Sequence, residues 1–190
     1  MLRITSGLHR GRLIKSLPGL GTRPTTERTR QAWLNALQMQ LPEARVLDLF
    51  SGSGALGIEA LSRGASYVVF VEENPKAAQV IRENIKILKL EDQARVYQKR
   101  VETVLPLLQN EAPFDFVFLD PPYHKGFEER VLADFPWTSV LTEDGRICVE
   151  SAKRKEGPFS PPPGLAVARH ENYGDSQLSF YERVIETRPS

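Results

Sequence analysis

Short apolar runs of strand length alternate with amphipathic segments of helical length through most of this chain. The runs predict buried strands at residues 45–50, 67–71, 94–98, 114–119 and 146–150, and a closing strand pair at 165–169 and 178–184. The segments between the strands predict helices from a glycine-rich turn to Arg63 and at residues 75–89, 101–109 and 126–134. This alternation predicts a parallel sheet with helices on both faces. Such sheets bind ligands beyond the carboxyl ends of their strands.

The first 24 residues follow a different pattern, rich in Gly, Arg and Pro with short alternation. Two stretches, at residues 3–5 and 12–14, predict a small hairpin. A helix begins near Thr25, which can cap it. We therefore expect a basic N-terminal arm or hairpin over residues 1–24 and one α/β domain over residues 25–190.

Length and composition favour a single cytoplasmic domain. The chain has 190 residues, enough for one hydrophobic core. It contains no apolar stretch long enough to span a membrane and no h-region of a signal peptide. Cys148 is the only cysteine and the three histidines are scattered, so no metal-site spacing is recognisable. We expect neither a metal nor a membrane partner.

Charge is distributed unevenly, although the net charge is only +1. Residues 1–30 carry seven basic side chains against one acidic side chain, and the rest of the chain is mildly acidic. A basic arm on an acidic body favours a polyanion such as nucleic acid as partner, and a merely solvated tail is the alternative. The basic residues considered for this contact are Arg3, Arg10, Arg12, Lys15, Arg23 and Arg28.

A glycine-rich loop over residues 48–57 follows the first predicted strand of the alternating region and opens a helix. Its glycines allow a ligand close to the backbone, and the helix N-terminus adds partial positive charge. Glu72, at the end of the next strand, can bind ribose hydroxyls, which NAD and S-adenosylmethionine both contain. Asp48 favours the second cofactor, because its carboxylate could bind the ammonium group of a methionine moiety; capping of loop amides is the alternative. The loop residues expected at the cofactor are Asp48, Phe50, Ser51, Gly52, Ser53, Gly54 and Gly57.

A second loop, Asp120-Pro121-Pro122-Tyr123, directly follows the predicted strand at 114–119. Its two prolines stiffen the turn, so that the Asp120 carboxylate and the Pro121 carbonyl present two acceptors near one point. Two acceptors suit a planar base amine, because hydrogen bonds from both N–H groups favour lone-pair density on the nitrogen. Tyr123 can stack on a base that has left its helix or loop. A plain Pro-Pro turn capped by Asp120 is the alternative, and the mid-strand position of Cys148 argues against thiolate chemistry.

These residues resemble the class I methyltransferases with a (D/N)-P-P-(Y/F) motif, and most closely the RsmD family of bacterial 16S ribosomal RNA guanine-N2 methyltransferases. The resemblance covers nearly the whole chain, and its specific pieces are residues 23–30, 48–65 and 119–123. It implies a Rossmann-like α/β fold: a seven-stranded, mostly parallel sheet with helices on both faces and an antiparallel C-terminal hairpin strand. It also implies S-adenosylmethionine as cofactor and guanine 966 of 16S ribosomal RNA, in the small subunit or an assembly intermediate, as target. We expect a monomer.

Carried onto this sequence, the family pattern makes residues 48–57 the methionine and ribose site, with Glu72 at the ribose. Arg100 and Val101 would border the adenine; Arg100 stands where many methyltransferases have an Asp, which favours contact through the backbone. Residues 174–181 are similar to the family's C-terminal hairpin and are interpreted as structural. The catalytic residues that would hold the target guanine are Asp120, Pro121, Pro122 and Tyr123. Residues 23–30 would border the pocket for that base.

Four other functions stay open on the sequence. A DNA adenine-N6 methyltransferase uses the same D-P-P-Y logic but usually needs a separate target-recognition domain. A protein-glutamine methyltransferase would favour Asn in place of Asp120. A nucleotide-binding oxidoreductase could use Gly52, Gly54 and Gly57. A non-catalytic RNA-binding assembly factor would keep the fold around a vestigial site.

Overall fold

The computed structural model describes residues 1–17, 24–122 and 125–184, with the backbone alone for residues 24–28. The strands are β1 (Leu2–Arg3), β2 (Leu13–Ile14), β3 (Arg45–Leu49), β4 (Tyr67–Val71), β5 (Ala94–Tyr97), β6 (Phe114–Leu119), β7 (Leu141–Ala152), β8 (Leu165–Tyr173) and β9 (Ser176–Arg183). The helices are α1 (Pro24–Ala36), α2 (Ala55–Ser62), α3 (Pro75–Leu88), α4 (Val101–Leu108), α5 (Phe127–Asp134) and α6 (Trp137–Val140), with a 3₁₀ turn at Glu91–Gln93.

Seven strands form one sheet in the order β5-β4-β3-β6-β7-β9-β8. The five strands from β5 to β7 in this order are parallel, whereas β9 is antiparallel to both β7 and β8. The chain moves outward from β3 to β5 and then adds β6 and β7 on the other side of β3. Ligands bind open α/β sheets where the strand order reverses in this way. The fold class predicted from the sequence, including the antiparallel C-terminal hairpin, is confirmed.

Helices cover both faces of the sheet and divide the core into two layers. In one layer, with α1, α2 and α3, the Trp33 ring packs edge-on against Phe118 of β6 at 5.4 Å. The opposite layer contains α4, α5 and α6. Because successive side chains of a strand point to opposite faces, Phe118 and Cys148 lie in the first layer and Leu119 and Val149 in the second. The same alternation determines which face each residue at a strand end presents.

The N-terminal hairpin is joined to the sheet domain through a shared core. β1 and β2 pair antiparallel, and Leu2, Ile4 and Ile14 are buried in the layer that contains α2. The buried Glu59 carboxylate of α2 accepts a hydrogen bond from the backbone N–H of Thr5 at 2.9 Å. Residues 1–17 therefore pack as part of the α/β body, although their sequence pattern differs from it.

The C-terminal strands are longer than the sequence pattern predicts. β7 begins at Leu141 rather than residue 146, and the short helix α6 before it carries no predicted counterpart. The first part of β7 is polar, and its pairing with β6 shifts register between Phe114 and Phe116, as at a β-bulge. β8 and β9 extend so that Ser176 pairs with Ala152 at the carboxyl end of β7. The hairpin turn thus reaches the edge of the sheet where ligands are expected.

Candidate active site

A cavity of about 930 Å³ opens beyond the carboxyl ends of the parallel strands, where the strand order reverses. Its lining comes from the loop after β3, the end of β4, the start of α4, the loop after β6, the end of β7, helix α1 and the β8–β9 turn. Ligand pockets in proteins usually measure about 300–1,000 Å³. The cavity is therefore wide enough for a cofactor and part of a second substrate.

Hydrogen bonds with neighbouring side chains fix the loop after β3 so that its backbone faces the cavity. Gly52 has φ +55°, and a Cβ there would meet no atom within 4 Å, so the loop backbone faces open space at this point. The Glu72 carboxylate accepts a hydrogen bond from the Gly52 N–H at 2.7 Å. The Ser51 hydroxyl accepts one from the Val71 N–H at 3.0 Å. Glu72, predicted for ribose, therefore lines the cavity and also shapes the loop.

Asp48 lies on the cavity floor and is only 2 % exposed. Its carboxylate accepts a hydrogen bond from the Gly57 N–H at 3.1 Å, so it caps a loop amide while it faces the cavity. Burial raises the pKa of Asp48 to about 8; the Gly57 N–H opposes the rise and the nearby Glu72 adds to it. Burial also raises the pKa of Glu72, against backbone hydrogen bonds from Asn74 and Gly52. A cation in the cavity would stabilise the ionised form of both carboxyl groups.

The other predicted loop residues divide between the cavity and the packing behind it. Phe50, Ser51, Gly52 and Ser53 line the cavity, whereas Gly54 and Gly57 do not. A Cβ on Gly57 would lie 2.4 Å from Cε1 of Phe70, so α2 can approach β4 this closely only through glycine. The packing accounts for glycine at position 57, and the cofactor contacts predicted for these two glycines stay predictions.

The loop that was predicted to be catalytic follows β6 and extends into the cavity. Asp120, Pro121 and Pro122 line it, and Tyr123 lies outside the described residues. Leu119 of β6 pairs with Val149 of β7, so the next residues, Asp120 and Glu150, follow side by side at the ends of adjacent parallel strands. By the alternation of side chains, both point to the sheet face that contains α1.

Three carboxyl groups from three neighbouring strands meet on this face. Asp48 of β3 shares the face with Asp120 and Glu150, and all three line the cavity; we call them the acidic row. Burial raises the pKa of Asp120 well above its ordinary value, and the charges of Glu150, Asp48 and Glu128 add to the rise. Groups of this kind favour ligands that bring positive charge or hydrogen-bond donors.

One wall of the cavity was predicted only in part, since the sequence placed residues 23–30 at the target pocket but not Trp33 or the β8–β9 turn. Thr29, Arg30 and Trp33 of α1 line it, together with Asp175 and Ser176 of the β8–β9 turn. Arg30 is only 8 % exposed, and its Nε has no hydrogen-bond partner among the residues that the structure describes. The Thr29 Oγ1 lies 3.4 Å from the Ser176 Oγ and joins α1 to the turn. The hairpin interpreted as structural therefore also forms part of the site.

The start of α4 forms the opposite end of the cavity. Arg100 and Val101, predicted to border the adenine, both line it, as does Lys99, which was not predicted. Val101 is buried, whereas the Arg100 side chain is exposed and pairs with Glu73 at 3.8 Å and with Glu102. The Arg100 side chain therefore pairs with carboxylates at the rim, and the adenine contact predicted for Arg100 and Val101 stays a prediction.

The basic residues predicted for RNA lie outside the cavity lining where the structure describes them. Lys15 forms an ion pair with Glu83 at 2.7 Å. Arg23 and the side chain of Arg28 lie outside the described residues. The side chains of Arg3, Arg10, Arg12 and Lys15 are all exposed.

Cysteine and metal chemistry find no support in the described part of the chain. Cys148 is buried in β7, and burial raises the pKa of its thiol to about 12. No group of three His, Cys, Asp or Glu side chains within residues 1–17, 24–122 and 125–184 is arranged to hold a metal ion. Over the same residues, every helix is too short or too polar to cross a membrane.

The strand order and the two loops at its reversal are those of class I methyltransferases, and comparison with known proteins specifies the family. The family model described as "Conserved hypothetical protein 95" matches residues 2–182. YlbH of Bacillus subtilis is 37% identical over 96% of this chain and 99% of its own length. Ribosomal RNA small subunit methyltransferase D of Haemophilus influenzae is 34% identical over 95% of this chain and 93% of its own.

A solved structure gives the same result. The Escherichia coli protein yhhF superimposes with a TM-score of 0.83 at 33% identity, covering 96% of this chain and 97% of that one. The chain therefore belongs to the methyltransferase family that includes ribosomal RNA small subunit methyltransferase D, the RsmD family.

Proposed function

We propose that this protein transfers a methyl group from S-adenosylmethionine to the exocyclic N2 amine of a guanine in small-subunit ribosomal RNA. The observation behind this proposal is that Asp120 and Pro121 line the same cavity as the glycine-rich loop and Asp48. The names of the relatives support ribosomal RNA as the substrate class. The family resemblance adds guanine 966 of 16S ribosomal RNA as the target, in the small subunit or an assembly intermediate. We further propose that the protein acts as a cytoplasmic monomer.

The residues of the cavity fit S-adenosylmethionine, which supplies an activated methyl group when it is bound. Asp48 offers a carboxylate for the ammonium group, and Glu72 offers one for ribose hydroxyls. The bare backbone at Gly52 allows close approach. A dinucleotide would instead place its pyrophosphate near the acidic row, and this repulsion argues against the oxidoreductase alternative.

The two acceptors that follow β6 suit the planar exocyclic amine of a base, which has two N–H donors. The Asp120 carboxylate and the Pro121 carbonyl would accept one hydrogen bond each, which orients the nitrogen lone pair toward the methyl donor. Asp120 acts here as an acceptor that positions the amine rather than as a strong base. Methyl transfer would form the N–C bond as the S–C bond of the sulfonium breaks, with the thioether of S-adenosylhomocysteine as the leaving group. The methylated nitrogen is then more acidic, and the raised pKa of Asp120 suits it to receive the N–H proton.

The N-terminal hairpin supplies the positive charge for RNA. Its exposed Arg3, Arg10 and Arg12 lie outside the cavity, where they can meet phosphates without blocking the site. Arg30 brings a further, buried cation to the cavity wall. The target base would thus enter the cavity while the flanking backbone contacts the hairpin.

Tritiated methyl transfer to small subunits, free RNA and DNA, followed by nucleoside analysis, tests the proposal. We expect label on N2 of guanine in small-subunit RNA. Asp120→Ala should keep the affinity for S-adenosylmethionine and lose on the order of a hundredfold or more in single-turnover rate. The control Asp134→Ala changes an exposed aspartate at the end of α5 and should keep the parental rate.

Other outcomes would replace the proposal by a specific alternative. Label on adenine N6 in DNA would identify a DNA methyltransferase, and label on glutamine of a protein would identify a protein methyltransferase. Binding of RNA without any transfer would support a non-catalytic assembly factor. A near-parental rate in Asp120→Ala would remove Asp120 from the chemistry.

A further inference from the structure

Glu150 is the member of the acidic row that the proposed chemistry leaves without a task. It is 3 % exposed, ends the central part of β7 and lines the cavity. Asp120, which would hold the target amine, directly follows β6, whose last residue Leu119 pairs with Val149 next to Glu150. Adjacent strands lie about 4.8 Å apart, so carboxylates at their ends can reach neighbouring atoms on the edge of one base.

Guanine and adenine differ at the atom next to the 2-position. Guanine carries an N1–H donor beside its N2 amine, so its edge presents adjacent donors. Adenine has no 2-amine, and its N1 is an acceptor. An ionised carboxylate can only accept hydrogen bonds, and it has about four lone-pair sites, so it can receive an N1–H while it keeps another partner.

We infer that Glu150 is a specificity-determining residue that accepts a hydrogen bond from N1–H of the target guanine, while Asp120 and the Pro121 carbonyl hold its N2 amine. The inference rests on the proposed function. A base with an acceptor at N1 would face a buried carboxylate without a shared hydrogen, which leaves both groups unsatisfied. The residue would thereby select guanine before any chemistry takes place.

The residues around Glu150 are compatible with a binding site for the edge of a base. Its partner on β9 is Leu178, and Ser176, the first residue of β9, pairs two residues further along with Ala152. Arg30, on the α1 wall of the same cavity, brings a buried guanidinium to the cavity lining. This binding site would thus consist of residues that are far apart in sequence but lie together at the carboxyl edge of the sheet.

A substrate that changes only the base edge tests the inference. The methylated guanosine, once mapped, is replaced by 2-aminopurine riboside in a ligated RNA assembled into the small subunit. 2-Aminopurine keeps the 2-amine but has an acceptor at N1. The parent should prefer guanine by on the order of a hundredfold or more in kcat/KM. Glu150→Gln can accept through its oxygen or donate through its nitrogen, so it should reduce this preference at least about tenfold.

A matched control separates hydrogen bonding from charge. Glu128 is buried and acts electrostatically on Asp120, but its side chain does not line the cavity. Glu128→Gln therefore removes a similar charge and should leave the preference for guanine unchanged. Glu150→Asp, which withdraws the acceptor but keeps the charge, should lower kcat/KM for guanine about tenfold with unaltered affinity for S-adenosylmethionine.

The outcomes are distinguishable. If the parent methylates no guanine, the proposed function fails and the inference on Glu150 fails with it. If the parent is active but Glu150→Gln keeps the full preference, the inference on Glu150 is wrong. It is also wrong if either variant loses S-adenosylmethionine affinity with an unchanged preference, since Glu150 would then serve the cofactor. Should Glu150→Gln fail to fold, full guanine activity in Glu150→Asp would overturn the inference.

Discussion

Replacing Asp48 by Asn should stabilise the ligand-free protein by an amount that depends on pH. The pKa of Asp48 is about 8 in the folded chain, against 3.8 for an exposed Asp. Between these values the folded chain keeps a proton that the unfolded chain has released, so the stability of the parent falls as pH rises. Each pH unit in this window costs about 1.4 kcal/mol. Asn carries no titratable proton and can still accept the Gly57 N–H bond.

The size of the effect follows from the width of the window. From about pH 4 to about pH 7 the stability advantage of Asp48→Asn over the parent should grow by about 4 kcal/mol, and it should level off above about pH 8. Urea unfolding at a series of pH values measures this difference. The buried side chains of Trp33 and Trp137 provide a fluorescence signal for it.

A control substitution isolates burial as the cause. Asp92→Asn, in the exposed 3₁₀ turn, should track the parent at every pH. If the stability difference between Asp48→Asn and the parent is the same at acidic and neutral pH, the carboxyl group is not held protonated by burial. A difference that shrinks as pH rises would contradict the sign of the reasoning.

Two further substitutions test packing and charge. Gly57→Ala should lower the free energy of unfolding by about 1–3 kcal/mol, because the new methyl group meets the Phe70 ring, and Phe70→Leu should restore part of the loss in urea unfolding; additive effects would contradict the clash. The double variant Arg10→Glu, Arg12→Glu should keep the thermal stability but weaken RNA binding and reduce its dependence on salt, measured by filter binding across a salt series. Parental affinity at every salt concentration would move the RNA surface elsewhere.

The alternation of strands and helices was predictable because each central strand is apolar on both faces. β3, β4 and β6 occupy almost the residues that their apolar runs indicate. The start of β7 was not predictable, since Thr142, Glu143 and Asp144 show no strand pattern and become a strand only through irregular pairing with β6. The hydrophobic pattern of the sequence therefore predicts a strand that is buried, but not a polar strand that forms only by pairing with its neighbour.

The two loops of the site were predictable because each is a contiguous motif. Residues 23–30 were expected at the target pocket, whereas Trp33 and Glu150 were missed because the cavity assembles them from separate elements. A signal was available for Glu150: it ends the predicted strand at 146–150, so the reasoning that selected Asp120 at a carboxyl strand end applies to it equally. Arg30 lies three residues before the buried Trp33, a helical spacing that predicts a shared face.

The acidic row also links the two ends of the cavity energetically. Ionised Asp48 raises the pKa of Asp120, and the positive charge of a cation bound beside Asp48 offsets that contribution. The ionised forms of Asp120 and Glu150 are the ones that accept hydrogen bonds from a guanine edge. A cation that compensates the charge of Asp48 therefore allows Asp120 to ionise when the base binds. Asp48→Asn removes the carboxylate that would pair with the bound cation. The same substitution that stabilises the ligand-free fold should accordingly weaken S-adenosylmethionine binding, measured by calorimetry, because the destabilising carboxylate is the group that the bound cation compensates.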